Sequence, residues 1–319
     1  MTKPKLQSVI GNQPDSHVSA RDLFNIDLDW DIPCFSASQE HVPAIDPDYL
    51  FDPDTTAAIL AGFKYNRRVL IQGLHGTGKS SHIEQIAARL NWPCIRINLD
   101  SQITRTDLLG RDALIAENGD VITTFQEGLL PYALRHPCAL VFDEYDAGRP
   151  DVLFVIQRIL EQEGKLTLLE NNSVIAPHAF FRLFATANTL GTGDSTGLYH
   201  GTQALNQGQL DRWHVVTVLN GLPFDREVEI VLKKIKGSNE SDVKNMVALA
   251  HMTRTGFQAR DVSLLMSPRT VLSWAENLMI FGDMDRAFRL SFYNKVDAHE
   301  QAVIDEYYQR CFGRLPKEG

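Results

Sequence analysis

Polar positions dominate residues 1–53, interrupted only by short apolar pieces such as Leu23-Phe24 and Ile32-Pro33-Cys34-Phe35, and the pattern predicts a small N-terminal extension. From Arg67 onward short apolar runs are separated by helical segments, the signature of strands alternating with helices around a parallel sheet. The strands predicted from apolar and β-branched runs cover 69–72, 94–99, 139–142, 182–185 and 214–219. Two strand-like pieces flank Glu170-Asn171-Asn172 and predict a β-hairpin over 164–175; a second hairpin-like insertion is expected over 114–122. After Pro223 the periodicity turns helical throughout, with helices expected over 225–236, 241–255, 268–281 and 283–295. The expected organisation is therefore an extension over 1–53, an α/β core over 54–222 and an all-helical subdomain over 223–319.

The 319 residues are enough for roughly two domains. Hydrophobic residues at 44% and charged residues at 22% are ordinary globular usage, which argues against wholesale disorder or a membrane protein. The formal charge of -9, with no dense basic run, makes nucleic acid a poor partner. Cys34, Cys94, Cys138 and Cys311 are scattered without a C-x-x-C pair, and no leader-like segment opens the chain, so a cytoplasmic location is expected. The ten histidines show no metal-ligand spacing, so a tight protein metal site is not expected.

One segment carries most of the chemistry. Gly73-Leu74-His75-Gly76-Thr77-Gly78-Lys79-Ser80, followed by Ser81, matches G-x-x-x-x-G-K-[ST] after an apolar strand and ahead of an amphipathic helix. Such glycines let backbone N–H groups wrap phosphates; Lys79 would neutralise β/γ charge and the Ser80 hydroxyl would reach Mg²⁺. Alone, the pattern could be a chance glycine turn, but its strand and helix context argues otherwise. Ala139-Leu140-Val141-Phe142-Asp143-Glu144 is an apolar strand ending in two acids, the form of a Walker B element. Asp143 would hold the magnesium through water and Glu144 would polarise the attacking water. Asn188, at the end of the fourth strand, could orient that water, although a satisfied turn asparagine is the plain alternative. Arg212 in Gln209-Leu210-Asp211-Arg212-Trp213 and Arg269 in Ser267-Pro268-Arg269 could each reach a γ-phosphate, one across a subunit boundary and one from the helical subdomain. Lone arginines are more often solvated surface residues. The absence of an N-K-x-D motif favours ATP over GTP.

This set resembles the AAA+ ATPase superfamily from about Asp54 to the C-terminus, and the hairpins over 164–175 and 114–122 look like the inserts of the clade containing MoxR proteins and magnesium chelatase. Within it the chain is similar to the CobS-type family of cobaltochelatase ATPase subunits of aerobic cobalamin biosynthesis. The stretches that carry this are 55–63, 75–80, 88–94, 197–202, Phe142-Asp143-Glu144-Tyr145-Asp146-Ala147-Gly148-Arg149-Pro150-Asp151 and the N-terminal Val18-Ser19-Ala20-Arg21. The resemblance implies an AAA+ P-loop core with a five-stranded parallel sheet and β-hairpin inserts, followed by an α-helical lid. It implies Glu144, Asn188 (sensor 1), Arg212 (arginine finger) and Arg269 (sensor 2) as catalytic residues. The implied cofactors are ATP and Mg²⁺. It further implies a hexamer-type ring working with a CobT-type subunit and a large CobN-type corrin-binding subunit, with Co²⁺ a substrate of the complex that this chain is not expected to bind. A MoxR-type chaperone maturing another metalloenzyme is the alternative. A DNA-translocating ring fits poorly, because the 164–175 hairpin carries only Lys165 and includes Glu170.

Overall fold

The computed structural model describes residues 13–117, 120–161, 163–169, 172–188, 205 and 207–317; the 197–202 stretch lies outside them. Two compact units are present. The first comprises 1–46, 51–73 and 79–219, and the second gathers 47–50 and 74–78 with 220–319.

In the first unit an antiparallel pair, β1 (Ser16–Ser19) and β2 (Asp31–Cys34), brackets a short helix, Ala20–Phe24, capped by the Ser19 side chain. The segment expected to be a small N-terminal extension sinks Ala20, Phe24, Ile26, Ile32 and Phe35 into the same cluster as Ile59, Leu60, Phe63 and Trp92. Its apolar pieces are short because each turn contributes only one or two side chains to a surface supplied by helix Pro53–Tyr65.

The central sheet consists of β3 (Val69–Gln72), β4 (Cys94–Asn98), β7 (Ala139–Asp143), β10 (Arg182–Ala187) and β11 (Val215–Val218). The intervening β5 (Gly110–Glu117) and β6 (Asp120–Glu127), and β8 (Leu166–Leu168) and β9 (Ser173–Ile175), form the two expected antiparallel hairpins. All pairings in the central sheet are parallel, in the order β11-β3-β10-β7-β4. Alternation sends Val69, Ile71 and Val141 to one face with the N-terminal segment, and Leu70, Leu140 and Phe142 to the other with Leu130, Leu134 and Ile156. Both faces of the inner strands β3, β10 and β7 are covered, which is why they read as near-continuous apolar runs. Chain order reverses at β3, whose sequential neighbour β4 lies at the far edge while β10 pairs directly with it. The crevice outside the carboxyl ends of the strands at such a reversal is where open α/β sheets bind ligands.

The second unit is helical from residue 224 on, with helices Phe224–Lys234, Glu240–Ala259, Pro268–Phe281, Met284–Ser291 and Gln301–Phe312 around Trp274, Phe288 and Tyr308. Pro268–Phe281 falls where the sequence predicts it: Ser267 caps it, Pro268 occupies the first turn, and Gly282 ends it in the left-handed region. The helix expected over 283–295 stops at Ser291, because Phe292 leaves helical geometry to enter the core, and a 3₁₀ turn, Tyr293–Lys295, follows. No helix among the described residues is long and apolar enough to cross a membrane.

Candidate nucleotide site

The register of the sheet assembles the acidic and amide groups. Gln72 pairs with Ala187, so the chain leaving β3 at Gly73 runs beside Asn188, and the Gly73 amide donates to the Ala187 carbonyl at 3.2 Å. Gly73 has φ 152°, and a Cβ there would stand 2.1 Å from the Leu219 carbonyl oxygen, so the close approach of β11's end requires glycine. Helix Lys79–Arg89 begins directly after the glycine-rich loop.

Lys79 is buried, and its Nζ donates to the Gly73 carbonyl and to Asn188 Oδ1, both at 2.9 Å. The Asn188 amide N–H donates to Asp146 Oδ2 at 3.0 Å, which fixes the residue at the strand end. Ser80 Oγ donates to Asp143 Oδ1 at 2.5 Å. Lys79, Ser80, Asp143 and Asn188 thus meet at one edge of the sheet, from segments separated by as many as 109 positions in the chain.

Asp143 is held more elaborately than its sequence suggests. Thr186 Oγ1 donates to its Oδ1, and Arg96, from β4, donates through Nε at 2.9 Å and also through Nη2 to Oδ2. Burial alone would raise the carboxyl pKa; the Ser80 and Thr186 hydroxyls and the Arg96 guanidinium outweigh it and hold the group below its usual range. Asp143 is therefore a carboxylate at neutral pH. Arg96 also lies 3.7 Å from Glu84 of the loop-proximal helix. Glu84 titrates higher than usual, because its burial outweighs the favourable Arg96 charge. Arg96 and Thr186 are the site residues missed by sequence reasoning. The available signal was a single charge inside the strand Cys94-Ile95-Arg96-Ile97-Asn98, a position where solvated edge arginines are also common.

Glu144 follows with φ 57°, a left-handed conformation unusual for a non-glycine residue, and its amide donates to Thr186 Oγ1 at 3.2 Å. Backbone strain of that kind costs about 1–3 kcal/mol and is tolerated where the surroundings over-determine it, which is common at functional sites. It turns the chain out of β7 into the 3₁₀ turn Tyr145–Ala147 at the very residue proposed from sequence as the base.

The loop residues Leu74, His75, Gly76, Thr77 and Gly78 belong to the second unit, where the Thr77 hydroxyl donates to the Leu74 carbonyl at 2.9 Å. His75 and Ser81 are exposed, without a contact that singles them out. In that unit a Cβ at Gly76 would stand 3.9 Å from the Cβ of Arg269, so the structure brings Arg269 beside the glycine-rich loop. Arg212 bonds the Gly208 carbonyl and stands 3.9 Å from Glu161.

The donor set at the sheet edge fits a magnesium nucleotide: a buried ammonium and a hydroxyl touching a carboxylate held in its charged form. Residues 68–205 match the AAA domain (dynein-related subfamily), and residues 9–42 match the family described as cobaltochelatase CobS subunit N terminal. The aerobic cobaltochelatase subunit CobS of a Sinorhizobium species is 57% identical over 98% of this chain and 96% of its own length. This chain belongs to the CobS family of AAA+ ATPases. Membership implies nucleotide binding, generally with Mg²⁺. Midasin of Dictyostelium discoideum is 30% identical over 60% of this CobS-family chain and 3% of its own length. A closed-state cryo-EM reconstruction of Hsp104 with ATPγS and FITC-casein covers 74% of the chain and 45% of its own, at 20% identity and a TM-score of 0.49.

Proposed function

We propose that this chain is the ATP-hydrolysing motor subunit of an aerobic cobaltochelatase, driving Co²⁺ insertion into hydrogenobyrinic acid a,c-diamide. The observation that carries the reading is the 57% identity running through both the nucleotide site and the N-terminal segment of a CobS subunit, over nearly the whole of both chains. In this reading the chain forms a ring, of hexameric type, in the cytoplasm with a CobT-type subunit, and a CobN-type subunit holds the corrin. Co²⁺ is substrate of the complex and is bound elsewhere.

Bound Mg²⁺·ATP supplies the phosphoanhydride to be cleaved and the metal charge that screens it. Lys79, which contacts Gly73 and Asn188, would bind phosphate oxygens, and Ser80 and Asp143 would hold the metal, which supplies charge screening when bound. Asp143 needs no proton loss to do so, because its neighbours already keep it charged. Glu144 accepts a proton from the attacking water, which Asn188 orients. Arg269, beside the glycine-rich loop, would meet the phosphates, and Arg212 would complete the site of a neighbouring copy. Burying a hydrated divalent ion in a macrocycle requires desolvation and ring distortion, and a nucleotide-driven conformational cycle can supply both.

The deciding experiment follows cobalt insertion spectroscopically with ATP, Mg²⁺ and CobN- and CobT-type partners, comparing the chain with its Glu144→Gln variant. Insertion that depends on the intact chain is the expected outcome. Robust ATPase activity without insertion, in a partner system known to work, would replace this reading with that of a remodelling chaperone.

A further inference from the structure

The helical unit contains a buried polar network that the nucleotide chemistry does not use. Glu227, on helix Phe224–Lys234, is 1% exposed and accepts from Arg254 Nη1 and Nη2 of helix Glu240–Ala259 at 2.7 Å each. Burial alone would raise its pKa; the Arg254 hydrogen bonds outweigh it and keep Glu227 below the usual carboxylate range. His251 Nε2 lies 3.2 Å from the same carboxylate. The third donor of the guanidinium, Nε, reaches across to the Met266 carbonyl at 2.7 Å. The preceding residue, Thr253, accepts from the Met266 amide at 3.0 Å and donates to the Ala250 carbonyl at 2.8 Å. Both backbone polar groups of Met266, itself fully buried, are therefore gripped by adjacent side chains of one helix.

Met266 precedes a critical turn. Ser267 caps the next helix by accepting from the Thr270 amide, and Arg269 lies in its first turn. A Cβ at Gly76 would stand 2.6 Å from Ser267 Oγ, so this turn abuts the glycine-rich loop directly. A buried ion pair is an expensive way to stabilise a helical bundle, since apolar residues of similar volume often serve as well or better. What apolar residues cannot do is bind a carboxylate with two donors and aim a third at one particular carbonyl, and lysine lacks that fork.

We propose that Arg254 is a positioning residue for the nucleotide site. With Glu227 and Thr253 it fixes the Met266–Arg269 turn against the glycine-rich loop, so that Arg269 meets the terminal phosphate in register. This inference rests on the reading of Arg269 as nucleotide-facing, and the test separates the two.

The experiment measures steady-state ATPase kinetics, affinity for Mg²⁺·ATPγS and thermal unfolding of the full chain. The variants are Arg269→Ala, Arg254→Lys, Thr253→Val, the paired Glu227→Met/Arg254→Met, and that pair combined with Arg269→Ala. The paired variant is expected to stay folded, with an unfolding temperature lowered by the Met266 carbonyl it leaves unpaired, while losing turnover by ~10- to 100-fold, the scale of a remote change that displaces a positioned group by about an ångström. Arg254→Lys should not rescue turnover. Adding Arg269→Ala to the paired variant should cost almost nothing more, because both changes remove the same contribution. If Arg269→Ala impairs turnover while the folded paired variant retains parental kcat and KM, or if the two losses simply multiply, the proposal is overturned. If the paired variant does not fold, Thr253→Val is judged by the same comparison with Arg269→Ala. Unchanged turnover in Arg269→Ala would overturn the nucleotide-facing reading itself, and the proposal with it.

Discussion

Acidification from pH 7 to pH 5 should weaken the first unit through one deeply buried imidazole above the others. His82 sits on helix Lys79–Arg89, 1% exposed, with Nε2 2.8 Å from the Thr56 hydroxyl and its ring edge-on to Phe51 at 5.4 Å. Burial disfavours the imidazolium and lowers the pKa from 6.5 to about 4, against a small opposing pull from Asp52. The unfolded chain therefore binds the extra proton at a higher pH than the folded one. The stability held by neutral His82 is complete above 6.5 and is lost as pH falls toward 4. The full gap is worth about 3 kcal/mol, and the part falling between pH 7 and pH 5 is about 2 kcal/mol. Urea unfolding at the two pH values, at fixed protein concentration and without nucleotide, measures this directly. His82→Gln, which can still bond Thr56 but cannot titrate, should lose about 2 kcal/mol less over the same interval. Equal losses in the two proteins would refute the argument, because every other titrating group is common to both.

Glu144→Gln should retain nucleotide binding, read by fluorescent-nucleotide titration, while hydrolysis falls by at least about 100-fold, as expected for loss of a general base. Arg212→Ala should abolish turnover yet recover part of it when mixed with a Lys79→Ala chain, since each supplies the half-site the other lacks; mixed rings without recovery would argue against a finger acting across subunits. Ile32→Ala, in the N-terminal segment, should cost about 2–5 kcal/mol in chemical denaturation, the range for emptying a fully buried site, whereas a loss below about 1 kcal/mol would mean that the segment does not share the core.

The sheet was legible because its three inner strands, β3, β10 and β7, are buried on both faces and therefore read as near-continuous apolar runs. The helix Pro268–Phe281 was legible because a Ser-Pro start and a glycine stop mark its ends locally. Lys79, Ser80 and Asp143 were legible as residue types at fixed spacing, but the grip of Arg96 and Thr186 on Asp143 depends on which strands become neighbours, and no local signal encodes that. The final helix, Gln301–Phe312, places Ile304 and Tyr308 at helical spacing, yet its polar composition hides a stripe that is recognisable only once Phe288 and Trp274 supply the opposing surface. The same holds for the Glu227–Arg254 pair, 27 positions apart and indistinguishable in sequence from solvated helix charges.

The shared cluster joining Phe24, Ile32 and Phe35 to Phe63 and Trp92 bears on how such proteins can be recombined. A family-specific N-terminal segment attached by a linker could be exchanged between relatives like a plug, leaving the ATPase intact. Here the segment supplies part of the wall behind the helix that follows the glycine-rich loop, so a chimaera joined near residue 53 would carry a mismatched interior. Functional grafts would have to transfer residues 13–65 together with the Trp92 face, which ties inheritance of the N-terminal segment to inheritance of the motor itself.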